Sequence, residues 1–179
     1  MSRKPNRYEL PITSMLGAMI VVLAVIVGFV AFRALVRNNV ETPVRTVDYA
    51  HLLRQGAEDG KLDMLSPRPM PSGWRATSAT YRGGAAPRWH LGILTSEGKY
   101  VGLEEARGEV SSLLKDAVKG DAEADGEAKI SGQTWQQWRG ETGDYVLTRQ
   151  AGDNAVLVRG QAAATTLQAF VARLKPYRR

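Results

Sequence analysis

The hydrophobic pattern of this chain begins as one unbroken run and then breaks into short segments with periods of two and of three to four. From Thr13 to Phe32 the residues read TSMLGAMIVVLAVIVGFVAF without a charge. At 1.5 Å per residue such a helix spans about 30 Å, the thickness of a bilayer's hydrocarbon core. A cleaved signal peptide has a shorter apolar stretch ending in a small-x-small site. Here Arg33 interrupts the nearest such arrangement, around Ala31 and Ala34, and Arg37 follows. The expected layout is a tail over residues 1–12, a transmembrane anchor over 13–36, a stalk over 37–47 containing Pro43, and a globular domain over 48–176. Ala24 and Gly28 form a small-xxx-small pair of the kind that lets membrane helices approach, although such pairs are common in any apolar helix.

Beyond the stalk, Asp48 is placed to cap a short helix with Tyr49, Leu52 and Leu53 on one side, ending near Gly56. The proline-rich stretch SPRPMPSGW, from Ser66, excludes helix and favours extended chain. Strands are expected over Trp74 to Tyr81, over Trp89 to Thr95 with Trp89, Leu91 and Ile93 alternating, and over Tyr100 to Leu103 after a turn at Ser96-Glu97-Gly98-Lys99. Val110, Leu113, Leu114 and Val118 then make a helical stripe stopped by Gly120. After an acidic loop, three antiparallel strands are predicted over Thr134 to Arg139, Tyr145 to Arg149 and Ala155 to Gly160. A last helix carries Leu167, Phe170, Val171 and Leu174, starts near Thr165 or Thr166 and ends before Pro176. The order predicts an α+β domain, a mainly antiparallel sheet with helices packed on one face.

Composition changes this picture little. The formal charge is +6, but the first 44 residues hold five basic and two acidic groups, leaving 19 basic and 16 acidic, a net +3, for the remainder. Those charges are scattered singly, without the stripe that tracks phosphates, so nucleic acid is not an expected partner. With no cysteine there is no disulfide, thiolate metal site or lipidated cysteine. Arg3, Lys4 and Arg7 before the apolar run outnumber Arg33 and Arg37 after it, which places the N-terminus in the cytoplasm and the C-terminal domain outside.

Each candidate for chemistry has a plainer explanation. The segment Asp121-Ala-Glu123-Ala-Asp125-Gly126-Glu127 imitates the first half of an EF-hand loop, but Lys129 and Gly132 occupy its ninth and twelfth positions, so a solvated acidic loop is expected. Ser112 and Lys115 match Ser-x-x-Lys, yet neither Ser-Asp-Asn nor Lys-Thr-Gly follows, and both belong on the polar side of their helix. His51 and His90 lack any metal-ligand spacing, and Gly83-Gly84 lacks the lysine of a P-loop. No catalytic residue, metal site or cofactor is predicted. Four tryptophans remain, Trp74, Trp89, Trp135 and Trp138. Most are expected as core anchors. Trp135 and Trp138, three apart in a strand, face opposite sides, and they are the candidate ligand-binding residues, with an indole at the mouth of a groove between sheet and helix.

The single apolar run followed by PSGWRATSATYR, WHLGILTSEGKYVGLEEA, ISGQTWQQW and VLVRGQAAATTLQAFVARL resembles the actinobacterial membrane proteins grouped as the DUF4245 family. The resemblance covers nearly the whole chain and implies a single-pass plasma membrane protein whose domain faces the envelope. It carries no catalytic residues over. The expectation is a non-catalytic binding or scaffolding module for which the bilayer and an envelope protein are the partners, or alternatively a lipid or small-molecule carrier with a groove between sheet and helix. The sequence does not fix an oligomeric state.

Overall fold

The computed structural model describes residues 12–38, 45–118 and 120–178. It divides into two units, residues 1–44 and 45–179. The first contains helix α1, Ile12–Asn38, which forms where the apolar run predicts it. Every described side chain in it is exposed, Met19, Val21, Val25, Phe29 and Phe32 included. Among the described residues no helix is long and apolar enough to cross a membrane, so the structure establishes the helix and not the span. The expected tail (1–12) lies, but for its last residue, outside the described residues, as does most of the stalk.

The second unit is built on a seven-stranded sheet in the order β2-β3-β4-β8-β7-β6-β5, every neighbouring pair antiparallel. Its strands are β2 (Arg75–Arg82), β3 (Arg88–Leu94), β4 (Tyr100–Arg107), β5 (Ala122–Ile130), β6 (Gln133–Gly140), β7 (Tyr145–Ala151) and β8 (Asn154–Gly160). Two meanders, β2 to β4 and β5 to β8, meet at the β4–β8 seam, where Leu103 pairs with Val158. Helix α2 (Ala50–Asp59) precedes the sheet, α3 (Val110–Ala117) connects the meanders, and α4 (Ala164–Val171) follows the last long strand. A small second sheet pairs β1 (Ser66–Pro67) with β9 (Leu174–Lys175).

The α+β class and antiparallel sheet are as expected, but the helices are not on one face. Leu53 of α2 and Leu167, Phe170 and Val171 of α4 pack with Trp89, Leu91, Val101, Leu103, Leu147 and Val158. Leu113 of α3 packs with Val146, Ala155 and Leu157, whose side chains leave the same strands in the opposite direction. A strand buried on both faces needs apolar residues at successive positions, and β8 supplies Ala155 to Val158, all buried.

Three further expectations are corrected. The acidic segment is no loop but most of β5, an edge strand that sequence reading missed. Its acids bond across to the neighbouring strand: Asp125 pairs with Arg139 at 2.8 Å, and Glu127 accepts a 2.7 Å bond from Gln136. A bulge between Ala124 and Glu127 accommodates Gly126 at φ 94°. Helix α2 continues past Gly56 to Asp59 and is capped by Gly60 in the left-handed region. Gly56 lies inside because a Cβ there would overlap the buried Met64 thioether. Finally, α4 stops at Val171, and Leu174 belongs to β9.

The segment between α2 and β1 is held by one cross-strand pair. Trp89 and Glu105 face each other on β3 and β4. The Trp89 indole donates to the Leu65 carbonyl at 2.9 Å, while the fully buried Glu105 accepts from the backbone N–H groups of Asp63 (2.6 Å) and Leu65 (3.0 Å). Both sides of the Leu65 residue are thus bonded to the sheet. Burial pushes the Glu105 carboxyl up from the ordinary range, against the pull of those two N–H groups and, more weakly, of Arg149.

Candidate functional site

Because α2 and α4 leave part of their sheet face uncovered, as α3 does on the other, grooves and clefts remain on both faces, and three of them hold residues of interest. The first is a groove of about 300 Å³ between the C-terminal end of α4, β9 and strands β6 and β7. Its walls include Trp135, Arg149, Val171, Leu174 and Lys175, with Asp63 at one side. Trp135 is only 2% exposed and its indole nitrogen has no hydrogen-bond partner. The Arg149 guanidinium lies 5.3 Å from the indole centroid. Its Nε is likewise buried without a partner.

The second groove, about 360 Å³, runs between α3 and the start of β5 and is mainly apolar, lined by Val110, Leu114, Val118, Ala122 and Trp138. The Trp138 indole donates to Thr148 Oγ1 at 2.9 Å. The two candidate tryptophans therefore lie on opposite sheet faces, as their spacing predicts, and the structure brings each to a different groove. Only Trp135 has an unspent donor. Trp74 stacks on Phe170 at 5.6 Å, and Trp89 is in the core.

The third place is a polar cleft of about 280 Å³ on the α3 side of β2, β3 and β4. Register sets Thr80, His90 and Glu104 side by side. His90 Nε2 is 3.1 Å from Ser78 Oγ and its Nδ1 is 2.7 Å from Glu104 Oε1. Arg88 donates to Glu104 at 3.2 Å and to Asp116 of α3 at 3.1 Å, tying helix to sheet. Burial raises the Glu104 carboxyl, but the bond and charge of His90, with Arg88, outweigh it and the net displacement is downward. Serine, histidine and acid in this order form a proton relay of the kind hydrolases use. Acyl transfer also asks for N–H donors around a carbonyl oxygen and for exclusion of water, and Ser78 is exposed on the outermost strand. Sequence reading missed the cluster because its members are 12 and 14 residues apart, a spacing that only hairpin register brings together.

The other flagged residues stay apart: His51 is exposed on α2, and Ser112 and Lys115 are exposed on α3. Among the described residues no three His, Cys, Asp or Glu side chains are grouped to hold a metal ion.

The family model described as "Protein of unknown function (DUF4245)" matches residues 7–174. The chain belongs to the DUF4245 family. No curated protein and no solved structure matches it. In this DUF4245 chain the groove that sets an unspent indole donor beside Val171 and Leu174 has features of a ligand site.

Proposed function

We propose that this DUF4245 chain is a single-pass, membrane-anchored domain facing the cell envelope, and that it binds a small amphipathic ligand without chemically altering it. The observation that carries the binding reading is the groove of about 300 Å³ between α4 and the sheet, with an indole in its wall and apolar side chains around it. Anchoring draws on the uncharged run from Thr13 to Phe32 and on a 27-residue helix, about 40 Å long, whose described apolar side chains point outward all round. A helix apolar on every side finds no partner in water. Placement of the domain outside draws on the excess of basic residues before the helix.

Two measurements test the proposal. Reporters active only outside and only inside the cytoplasm are fused after Arg179; signal from the outside reporter is expected, and signal from the inside one overturns the topology. Native mass spectrometry of protein extracted from its membranes is expected to show a small molecule retained by the wild type and lost from Ala172→Trp, which fills the groove from its exposed rim. Equal retention by both proteins counts against the groove.

A further inference from the structure

The groove under α4 is built for a particular chemistry. Arg149 is half-buried in its wall, and among the described residues its guanidinium forms no salt bridge or hydrogen bond and lies over the face of Trp135. A guanidinium taken partly out of water normally recovers hydration by pairing with a carboxylate or phosphate. The buried acid Glu105 attracts Arg149 only weakly and already spends both oxygens on the Asp63 and Leu65 N–H groups. Beside Arg149 the Trp135 indole nitrogen, a donor only, is buried and unpaired too. Two orphan donors on two adjacent side chains, in a wall that also carries Lys175, call for acceptor oxygens bearing negative charge. Among the described residues the one acid in the lining is Asp63. The lining also contains Leu65, Ile130, Val171 and Leu174, beside the polar Ser131 and Gln133, so the apolar part of a ligand has side chains to lie against.

We infer that the ligand of this groove is an amphipathic monocarboxylate, whose carboxylate takes the Arg149 guanidinium fork and the Trp135 indole N–H while its apolar part lies against α4 and β9. This rests on the groove being the binding site. Both orphan nitrogens are shielded from solvent. The carboxylate therefore reaches them by a rotamer change of Arg149, the one of the two residues that is not fully buried.

The test uses the full chain in lipid nanodiscs with its tryptophan indoles labelled with ¹⁵N, Trp135→Phe identifying which N–H resonance belongs to Trp135. Hexanoate, hexan-1-ol and hexylammonium are titrated in turn. Hexanoate is expected to shift the Trp135 resonance saturably and the other two to leave it unmoved. In Arg149→Gln the hexanoate Kd is expected to rise roughly tenfold to a hundredfold, the range for losing charge-assisted bonds. If all three probes move the resonance alike, or if Arg149→Gln binds hexanoate as tightly as wild type, the carboxylate inference is overturned while the groove stands. If none moves it up to about 10 mM, where even a weak site fills, both fall.

Discussion

Replacing Glu105 isolates the energetics of the segment that carries the chain from α2 to the sheet. The side chain is 0% exposed and accepts two backbone bonds, one from a buried N–H and one from a partly buried one. Glu105→Leu leaves both donors without an acceptor. At about 1 to 3 kcal/mol for each unsatisfied buried group, the variant should lose about 2 to 6 kcal/mol. Glu105→Gln keeps one oxygen and turns an amide nitrogen toward the other donor, so about half that loss is expected. The pH dependence makes the test sharper. Burial raises the folded-state pKa of Glu105 above its unfolded value, so its contribution to stability is complete below the unfolded pKa and declines as pH rises through the folded one. Glutamine does not titrate, so the gap between wild type and Glu105→Gln should narrow from acid to neutral pH. The assay is urea unfolding of the detergent-solubilised chain, followed by tryptophan fluorescence, with Trp89 bonded to the same Leu65 residue as a local reporter. A gap that widens toward neutral pH would refute the reasoning, because it would mean that the two N–H bonds to the ionised carboxylate outweigh its desolvation.

The neighbouring Glu104 should behave in the opposite sense. Its folded pKa is lowered, so its stabilisation is present above the unfolded pKa and lost as pH falls through the folded one; the Glu104→Gln penalty should shrink on acidification in the same unfolding assay. Gly160→Ala puts a Cβ 2.5 Å from the Tyr100 backbone carbonyl across the β4–β8 seam, which neither strand can relieve alone. A loss of about 1 to 3 kcal/mol is expected, and an unchanged urea midpoint would show that the seam has slack. Ser78 should remain unlabelled by a fluorophosphonate probe at neutral pH; labelling that Ser78→Ala abolishes would overturn the non-catalytic reading and make the Ser78, His90 and Glu104 relay an active site.

How much of this was legible depended on whether a residue's neighbours in sequence decide its surroundings. The β3–β4 hairpin was readable because Trp89, Leu91 and Ile93 alternate ahead of a turn. Strand β5 was not, because alanines at alternate positions carry little strand signal and the carboxylates between them imitate a calcium loop. The stripe of α3 shows that the helix buries one side but cannot say which face of the sheet receives it. The signal for two-sided cover lay elsewhere, in the four successive apolar residues from Ala155 to Val158. For the site, the spacing of Trp135 and Trp138 placed them on opposite faces. That the Trp135 donor goes unspent while that of Trp138 meets Thr148 depends on neighbours that local sequence does not fix.

Both outermost strands of the large sheet are irregular. β2 carries a bulge between Ala76 and Ser78, and β5 carries one at Gly126 among charged side chains. A straight apolar edge presents open N–H and C=O groups on which a second chain can add itself as a strand. Bulges twist that template out of line, and a second β5 edge brought alongside would bring its own Glu123, Asp125 and Glu127 toward these like charges. Chains fastened to one surface, as proposed for this family member, meet their own kind at high effective concentration. If the proposed tether holds these domains side by side, the two spoiled edges work against strand-to-strand growth between neighbouring copies.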